Sequence, residues 1–107
     1  MDVVTSHHVD ASECDAEGFY DYHYEYDIYR FSRGGRTFVA RAYVDEPERA
    51  AFVSRQERGQ SCLLGPMDLT DPLLAEAAAY LHAAGKTSLE RLSERDGYVP
   101  LWLAHRA

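Results

Sequence analysis

Residues 20 to 28 alternate strictly in polarity, and this alternation constrains the fold more than any other feature of the sequence. The apolar parity holds Tyr20, Tyr22, Tyr24, Tyr26 and Ile28, and the polar parity holds Asp21, His23, Glu25 and Asp27. A period of two residues is typical of a β-strand that has one apolar face and one solvated face. The sequence therefore predicts that structure begins with a strand near residue 19.

A glycine pair follows this strand and predicts a β-hairpin. Gly34 and Gly35 adopt the positive φ angles of a tight two-residue loop without steric cost. The apolar parity changes before the loop, so we expect a bulge there or a strand end that is covered on both faces. A loop at the glycine pair fixes the register, with Phe31 opposite Phe38, Tyr29 opposite Ala40, and Tyr26 opposite Tyr43.

Three later segments extend the predicted strands. Residues 49 to 56 favour a third strand because their contiguous apolar residues give no helical stripe, although Asp45 and Pro47 are also typical of a helix start. Residues 61 to 64 favour a short fourth strand. Residues 98 to 104 predict a final apolar strand or a packed tail.

Two helices are predicted after the main strands. An N-cap aspartate and a proline open residues 72 to 84, and a glycine follows them, which indicates the main helix. Thr87 and Glu90 have the spacing of a capping box and predict a second, short helix over residues 88 to 95. The predicted fold class is α+β: an antiparallel sheet of three to four strands, starting with the hairpin, followed by one main helix and one short helix on one face.

The length of the chain predicts one domain. A chain of 107 residues is near the commonest domain size, so one hydrophobic core is expected. Residues 1 to 18 are polar, acidic and without period, and we expect them to form a flexible N-terminal arm. Residues 19 to 107 are then a single α+β domain.

The negative charge of the chain is concentrated near its start. The formal net charge is -7, and residues 1 to 27 contain eight acidic residues with no Lys or Arg. An acidic segment repels phosphate backbones, whose neutralisation by basic residues supplies most nucleic-acid affinity. The sequence therefore predicts no nucleic-acid partner and favours a basic protein partner.

The remaining composition indicates a bacterial protein of the cytoplasm. No apolar run approaches the length of a membrane span, so no membrane association is predicted. Cys14 and Cys62 follow no disulfide or zinc spacing, which favours two free thiols in a reducing compartment. Arginine greatly outnumbers lysine, a bias typical of bacterial genomes rich in G and C.

Two groups of side chains have the chemistry of metal ligands, but neither forms a complete motif. His23 and Glu25 share a strand face with other acids, where they would meet a metal or act as general acid and base. A solvated strand face explains the same pattern and is favoured. His7, His8 and Cys14 lack a fourth zinc ligand at a familiar spacing. We predict no metal site and no cofactor.

Cys62 is the remaining candidate for catalysis. Asp68 and His82 occur elsewhere in the chain and would have to approach its thiol through the fold. A cysteine beside two leucines is more often a small buried apolar group. No catalytic residue is therefore predicted, and the sequence leans away from an enzyme.

The tyrosine-rich strand face is the best candidate for a binding surface. Tyrosine combines a large apolar ring with a polar tip and is enriched at protein interfaces, as is arginine. The predicted binding residues are Tyr22, Tyr24, Tyr26, Arg41 and Tyr43. They favour a protein-binding accessory, inhibitor or immunity-type factor. The alternative structural interpretation is that the main helix covers this tyrosine face, which would then be part of the core.

Two other functions of the same face remain open. One is a small-ligand-binding domain or minor enzyme, with a tyrosine-lined pocket between sheet and helix that Arg41 or His23 anchors. The other is a twofold homodimer that buries the uncovered sheet face, including Phe52, because large exposed apolar patches are uncommon on monomers. A monomer at high micromolar concentration in light scattering would contradict the dimer.

Overall fold

A mixed β-sheet dominates the computed structural model, which describes residues 1–13, 16–18 and 23–101. Its strands are β1 (Asp2–Ala11), β2 (His23–Arg33), β3 (Arg36–Tyr43), β4 (Arg49–Glu57), β5 (Gln60–Cys62), β6 (Ser88–Ser93) and β7 (Gly97–Pro100). Between β5 and β6 the chain forms a short 3₁₀ helix (Pro66–Thr70) and one α-helix, α1 (Pro72–Ala83). Within the described residues, neither helix has the length and apolar content to cross a membrane.

The strand order is β1-β2-β3-β4-β6-β7, and all neighbours pair antiparallel except β4 and β6, which are parallel. The outer edge of β4 is shared: β6 pairs with its first half and β5 with its last three residues. Parallel neighbours need a crossover connection. The segment between β5 and β6, which contains the 3₁₀ helix and α1, is part of this crossover. It packs α1 against one face of the sheet.

The hydrophobic core lies between one sheet face, termed the helix face, and α1. Its largest fully buried side chains are Phe31, Phe38, Phe52, Leu74 and Leu81. Alanines on both sides of this contact are also buried and bring α1 close to the sheet. The opposite sheet face, termed the open face, has no helix packed on it among the described residues.

The main helix confirms its sequence-based prediction. The Asp71 carboxylate accepts a hydrogen bond from the Leu73 amide at 2.9 Å and caps the first turn. Pro72 occupies the first helical position, where it needs no amide hydrogen bond. Gly85, at a φ of +94°, follows the helix end.

The hairpin also confirms its prediction. Gly34 and Gly35 have φ angles of 60° and 81°, both in the left-handed region. The register pairs Phe31 with Phe38, Tyr29 with Ala40 and Tyr26 with Tyr43. Residues 49 to 56 are a strand, as predicted, within β4.

The predicted fold class is wrong in its strand count, its pairing and its second helix. The described sheet has seven strands and one parallel pair, where three to four antiparallel strands were expected. Residues 88 to 93 form β6 instead of a helix. The Glu90 carboxylate binds Arg49 rather than closing a capping box, and the Ser88 amide donates to the Glu48 carbonyl at 2.9 Å. The distant strand β4 thus satisfies backbone groups that a local helix would otherwise pair.

The predicted N-terminal arm is strand β1 over most of its length. Asp2–Ala11 pairs with β2 from Ser32 back to His23. Apolar residues occur on both parities of β1, so the sequence shows no alternation. The strand forms because the open edge of β2 offers unpaired backbone groups to it.

A bulge places Phe52 on the face opposite to the one predicted. Val39 pairs with Ser54 but Ala40 pairs with Phe52, so Val53 is an extra residue in β4. The bulge reverses the side-chain parity of the first half of β4. Phe52 consequently lies in the core and is not part of the open face.

Candidate functional site

The open face brings together four of the five predicted binding residues. In β2 the core residues Tyr29 and Phe31 have odd numbers, so Tyr24 and Tyr26 point to the other side. In β3 the core residues have even numbers, so Arg41 and Tyr43 share that side. Tyr22 lies outside the described residues.

Aromatic rings contact one another across the first three strands of the open face. Tyr26 is central: the His8 ring stacks on it at 5.4 Å between centroids, and the Tyr43 ring meets it edge-on at 5.6 Å. Tyr24 lies 6.1 Å from Tyr43. These distances are typical of favourable aromatic pairs, so the rings form one contiguous surface.

Arg41 is held within this aromatic surface. Its guanidinium carbon lies 5.2 Å from the centre of the Tyr26 ring, a cation–π contact. Its Nη1 donates to the Tyr43 hydroxyl at 3.3 Å, and its Nε is buried without a hydrogen-bond partner among the described residues. Packing therefore fixes the orientation of the guanidinium.

A second arginine extends the surface towards β7. The Arg49 guanidinium lies 5.1 Å from the centre of the Tyr98 ring and forms ion pairs with Glu90 and, at 2.8 Å, with Glu46. The hydrogen bond with Glu90, followed by that with Glu46, raises the pKa of Arg49 above its usual range. This side chain is therefore a neutralised part of the face.

No protein-family model, curated protein or solved structure matches the chain.

The open face has buried apolar residues at its base and larger side chains above them. Ile28, Val39 and Ala51 lie at its base and are buried, although no helix of the described chain covers them. The larger aromatic and arginine side chains shield these residues from water. Tyr24, by contrast, is 54% exposed. A dry base with exposed rings above it resembles the core and rim of a protein interface.

One cavity on this face is too small for an organic ligand. Its volume is about 10 Å³, enough for about one water molecule. Its walls include Arg41, Tyr43, Arg49 and Tyr98. A second cavity, lined in part by Tyr24 and Tyr43, has a volume of about 220 Å³. It is smaller than the usual ligand pocket of about 300–1,000 Å³, so the geometry favours contact with a surface over enclosure of a small molecule.

The ligand pocket considered between sheet and helix receives no support from the geometry. Phe31, Phe38 and Phe52 fill that space together with leucines of α1. Arg41 and Tyr26 lie on the other side of the sheet, and so cannot line a pocket under the helix.

The acidic residues of β2 lie on the helix side, beyond the part that α1 covers. His7 lies between Glu25 and Asp27, with ring nitrogens 3.1 Å and 2.6 Å from their carboxylates. The pKa of His7 is raised above 6.5, and the main cause is its hydrogen bond to Asp27. Two carboxylates at these distances favour the protonated ring, which has no free nitrogen lone pair for a metal ion. Among the described residues no cluster of three or more His, Cys, Asp or Glu side chains is suited to a metal ion.

Cys62 is exposed, so its predicted burial is wrong. Arg55 donates to its sulfur at 3.1 Å and to the buried Asp68 carboxylate at 2.6 Å. Within the described residues, no hydrogen bond joins Cys62 to His82. Asp68 is therefore engaged in a buried ion pair that anchors the 3₁₀ helix, and the geometry gives no catalytic triad.

Three members of the open face, His8, Arg49 and Tyr98, are absent from the binding residues predicted from the sequence. His8 joins the face through the β1–β2 pairing, and Tyr98 through the pairings of β6. The bulge in β4 determines on which sheet face the Arg49 side chain lies. The residue types, aromatic and arginine, were a usable signal, but their placement depends on strands that are distant in sequence.

Proposed function

We propose that the protein acts by binding another protein through its open face, as an accessory, inhibitor or immunity-type factor. The observation that carries this proposal is the contiguous surface of Tyr24, Tyr26, Tyr43 and Arg41 on a sheet face that no described helix covers. Tyrosine and arginine are the residues that most often dominate binding energy at protein interfaces.

The packing of this surface reduces the cost of binding. Immobilising a side chain on association costs about 0.5–1.5 kcal/mol for each flexible side chain. Arg41 is already held by Tyr26 and Tyr43, and Tyr26 by His8. Less conformational freedom is lost when a partner docks on residues held in this way.

The exposed thiol of Cys62 supports a reducing compartment for this function. Free cysteines persist where thiols are kept reduced, as in the bacterial cytoplasm. We therefore place the proposed partner in the cytoplasm as well.

Site-specific photo-cross-linking tests the proposal. A benzophenone amino acid in place of Tyr24 reports on the open face, and the same replacement at Tyr80 of α1 is the matched control. Both tyrosines are exposed, at 54% and 42%, but they lie on opposite sides of the sheet. We expect irradiation of cells that produce the protein to give a discrete adduct from position 24 and none from position 80.

The mass of the adduct identifies the partner. A protein of different mass on position 24 supports the proposal. An adduct of twice the chain mass would show that the partner is a second copy of the chain, as in the twofold dimer predicted from the sequence. The absence of an adduct, or the same adduct from both positions, would overturn the assignment of the open face.

A further inference from the structure

Three carboxylates of the open face already have partners within the protein. The Asp10 carboxylate accepts a hydrogen bond from the Tyr26 hydroxyl at 2.6 Å. Glu46 and Glu90 both pair with Arg49. Glu46 and Glu90 thus share one arginine, whereas the Tyr26 hydroxyl leaves the negative charge of Asp10 in place.

Two cations of the same face have no carboxylate partner among the described residues. Arg30 lies opposite Val39 and Arg41 lies opposite Ile28, so the two arginines are diagonal neighbours on β2 and β3. Arg41 contacts a phenol ring and a hydroxyl, and neither arginine forms an ion pair with a carboxylate among the described residues. The centre of the open face thus carries two positive charges that no described carboxylate pairs with.

We propose that the open face binds a carboxylate-rich segment of its protein partner, with Arg41 as the principal contact and Arg30 as the second. This inference rests on the proposed function of the face and specifies the chemistry of the partner. A planar guanidinium held on an aromatic ring donates to a carboxylate with defined geometry, and such charge-assisted hydrogen bonds are stronger than neutral ones.

The location of the acids separates the net charge of the chain from the charge of the open face. Sequence analysis favoured a basic partner because the chain is negative overall and acidic near its start. Glu25 and Asp27, however, face the helix side and interact with His7. Contact chemistry depends on the charges at the interface, whereas net charge acts mainly on long-range encounter and is screened by salt.

Peptides of alternating sequence test the charge preference directly. The probes are three acetylated, amidated peptides of equal length in which Leu alternates with one other residue. That residue is Glu in the Glu-Leu peptide, uncharged Gln in the first matched peptide and basic Lys in the second. Each is titrated into the isotope-labelled full-length protein at physiological salt, and chemical shifts locate the binding surface. We expect the Glu-Leu peptide to shift signals of β2 and β3 on the open face and to bind more tightly than either match.

Charge-matched variants separate contact from long-range attraction. Arg41→Gln and Arg95→Gln each remove one positive charge, but Arg95 lies exposed in the turn between β6 and β7. Hydrogen bonds to charged groups contribute enough for Arg41→Gln to weaken Glu-Leu binding about tenfold or more. Arg95→Gln should leave it within about twofold. Arg30→Gln should give an intermediate loss, and circular dichroism checks the folding of each variant.

The outcomes distinguish the two proposals. Open-face binding that does not prefer the Glu-Leu peptide, or that weakens equally in Arg41→Gln and Arg95→Gln, would overturn the carboxylate inference while the open face stays a peptide-binding surface. Should Arg41→Gln fail to fold, Arg41→Lys provides the test, because it keeps the charge but loses the planar fork and is expected to weaken binding. Shifts confined to the helix side would overturn the inference and count against the proposed function too.

Discussion

The side chains of the two sheet faces differ in how their charges are balanced. On the helix side, His7 is held by two carboxylates, and Arg55 neutralises the buried Asp68. On the open face, Arg41 is balanced only by aromatic rings and a hydroxyl. Carboxylate partners thus hold His7 and Arg55 on the helix side, whereas Arg41 of the open face has no carboxylate partner among the described residues.

The titration of His7 tests the β1–β2 pairing at the level of one residue. Since the Asp27 hydrogen bond raises its pKa above 6.5, His7 stabilises the fold in its protonated form. That contribution is fully present below about pH 6.5, the unfolded value, and is lost as the pH rises through the higher folded value. We expect NMR titration of the imidazole to show the raised pKa.

Carboxylate variants provide the controls for this titration. Asp27→Asn should return the pKa of His7 most of the way to its ordinary value, because Asp27 is the main cause of the shift. Glu25→Gln should lower the same pKa less. A His7 that titrates at or below its ordinary value in the unmodified protein would show that β1 is not paired as described.

Individual elements show where tertiary contacts override local pattern. The bulge in β4 moves Phe52 from the expected open face into the core, although the residues before and after it follow a strand pattern. β6 has the spacing of a helix start but forms a strand, because β4 supplies its hydrogen-bond partners. Both effects arise from pairing, which a local sequence window does not contain.

Substitution of Phe52 tests the position of the bulge. Phe52 is fully buried, so Phe52→Ala should lower the free energy of unfolding by about 3–5 kcal/mol through lost apolar burial and a cavity. Tyr24→Ala, on the open face, should cost about 1 kcal/mol or less. Urea denaturation measures both values. Similar small losses for both variants would place Phe52 at the surface and contradict the bulge.

The whole molecule is elongated, with extents of 57 × 29 × 29 Å. α1 covers only the central part of one sheet face, and β1 extends from that part, where Val3 packs against the core, to beyond it. Strand β1 is also the edge of the sheet, so one side of its backbone pairs with β2 and the other has no strand beside it in the described structure. The N-terminal segment thus belongs to the folded sheet.

Hydrogen exchange tests this position of β1 within the molecule. In an antiparallel edge strand, every second amide points to its neighbour and the others point outward. We therefore expect alternate amides of residues 2 to 11 to be protected from exchange. The outward amides of the same strand are the internal control and should exchange quickly. Uniformly fast exchange across β1 would contradict this strand and would support the flexible arm predicted from the sequence.

Local chemistry determined the parts of this protein that the sequence predicts correctly. The glycine pair fixed the hairpin register, and the Asp71 cap with Pro72 fixed the start of α1, because both signals act within a few residues. Strand parity then placed Tyr24, Tyr26, Arg41 and Tyr43 together.

Only the tertiary structure decided which strands become neighbours. The pairings of β1 with β2 and of β4 with β6 satisfy backbone groups across long stretches of chain, and the bulge in β4 sets which side chains reach each face. Those pairings brought His8, Arg49 and Tyr98 to the open face. A hydrogen bond between distant strands has no local sequence signature, since its partner lies elsewhere in the chain.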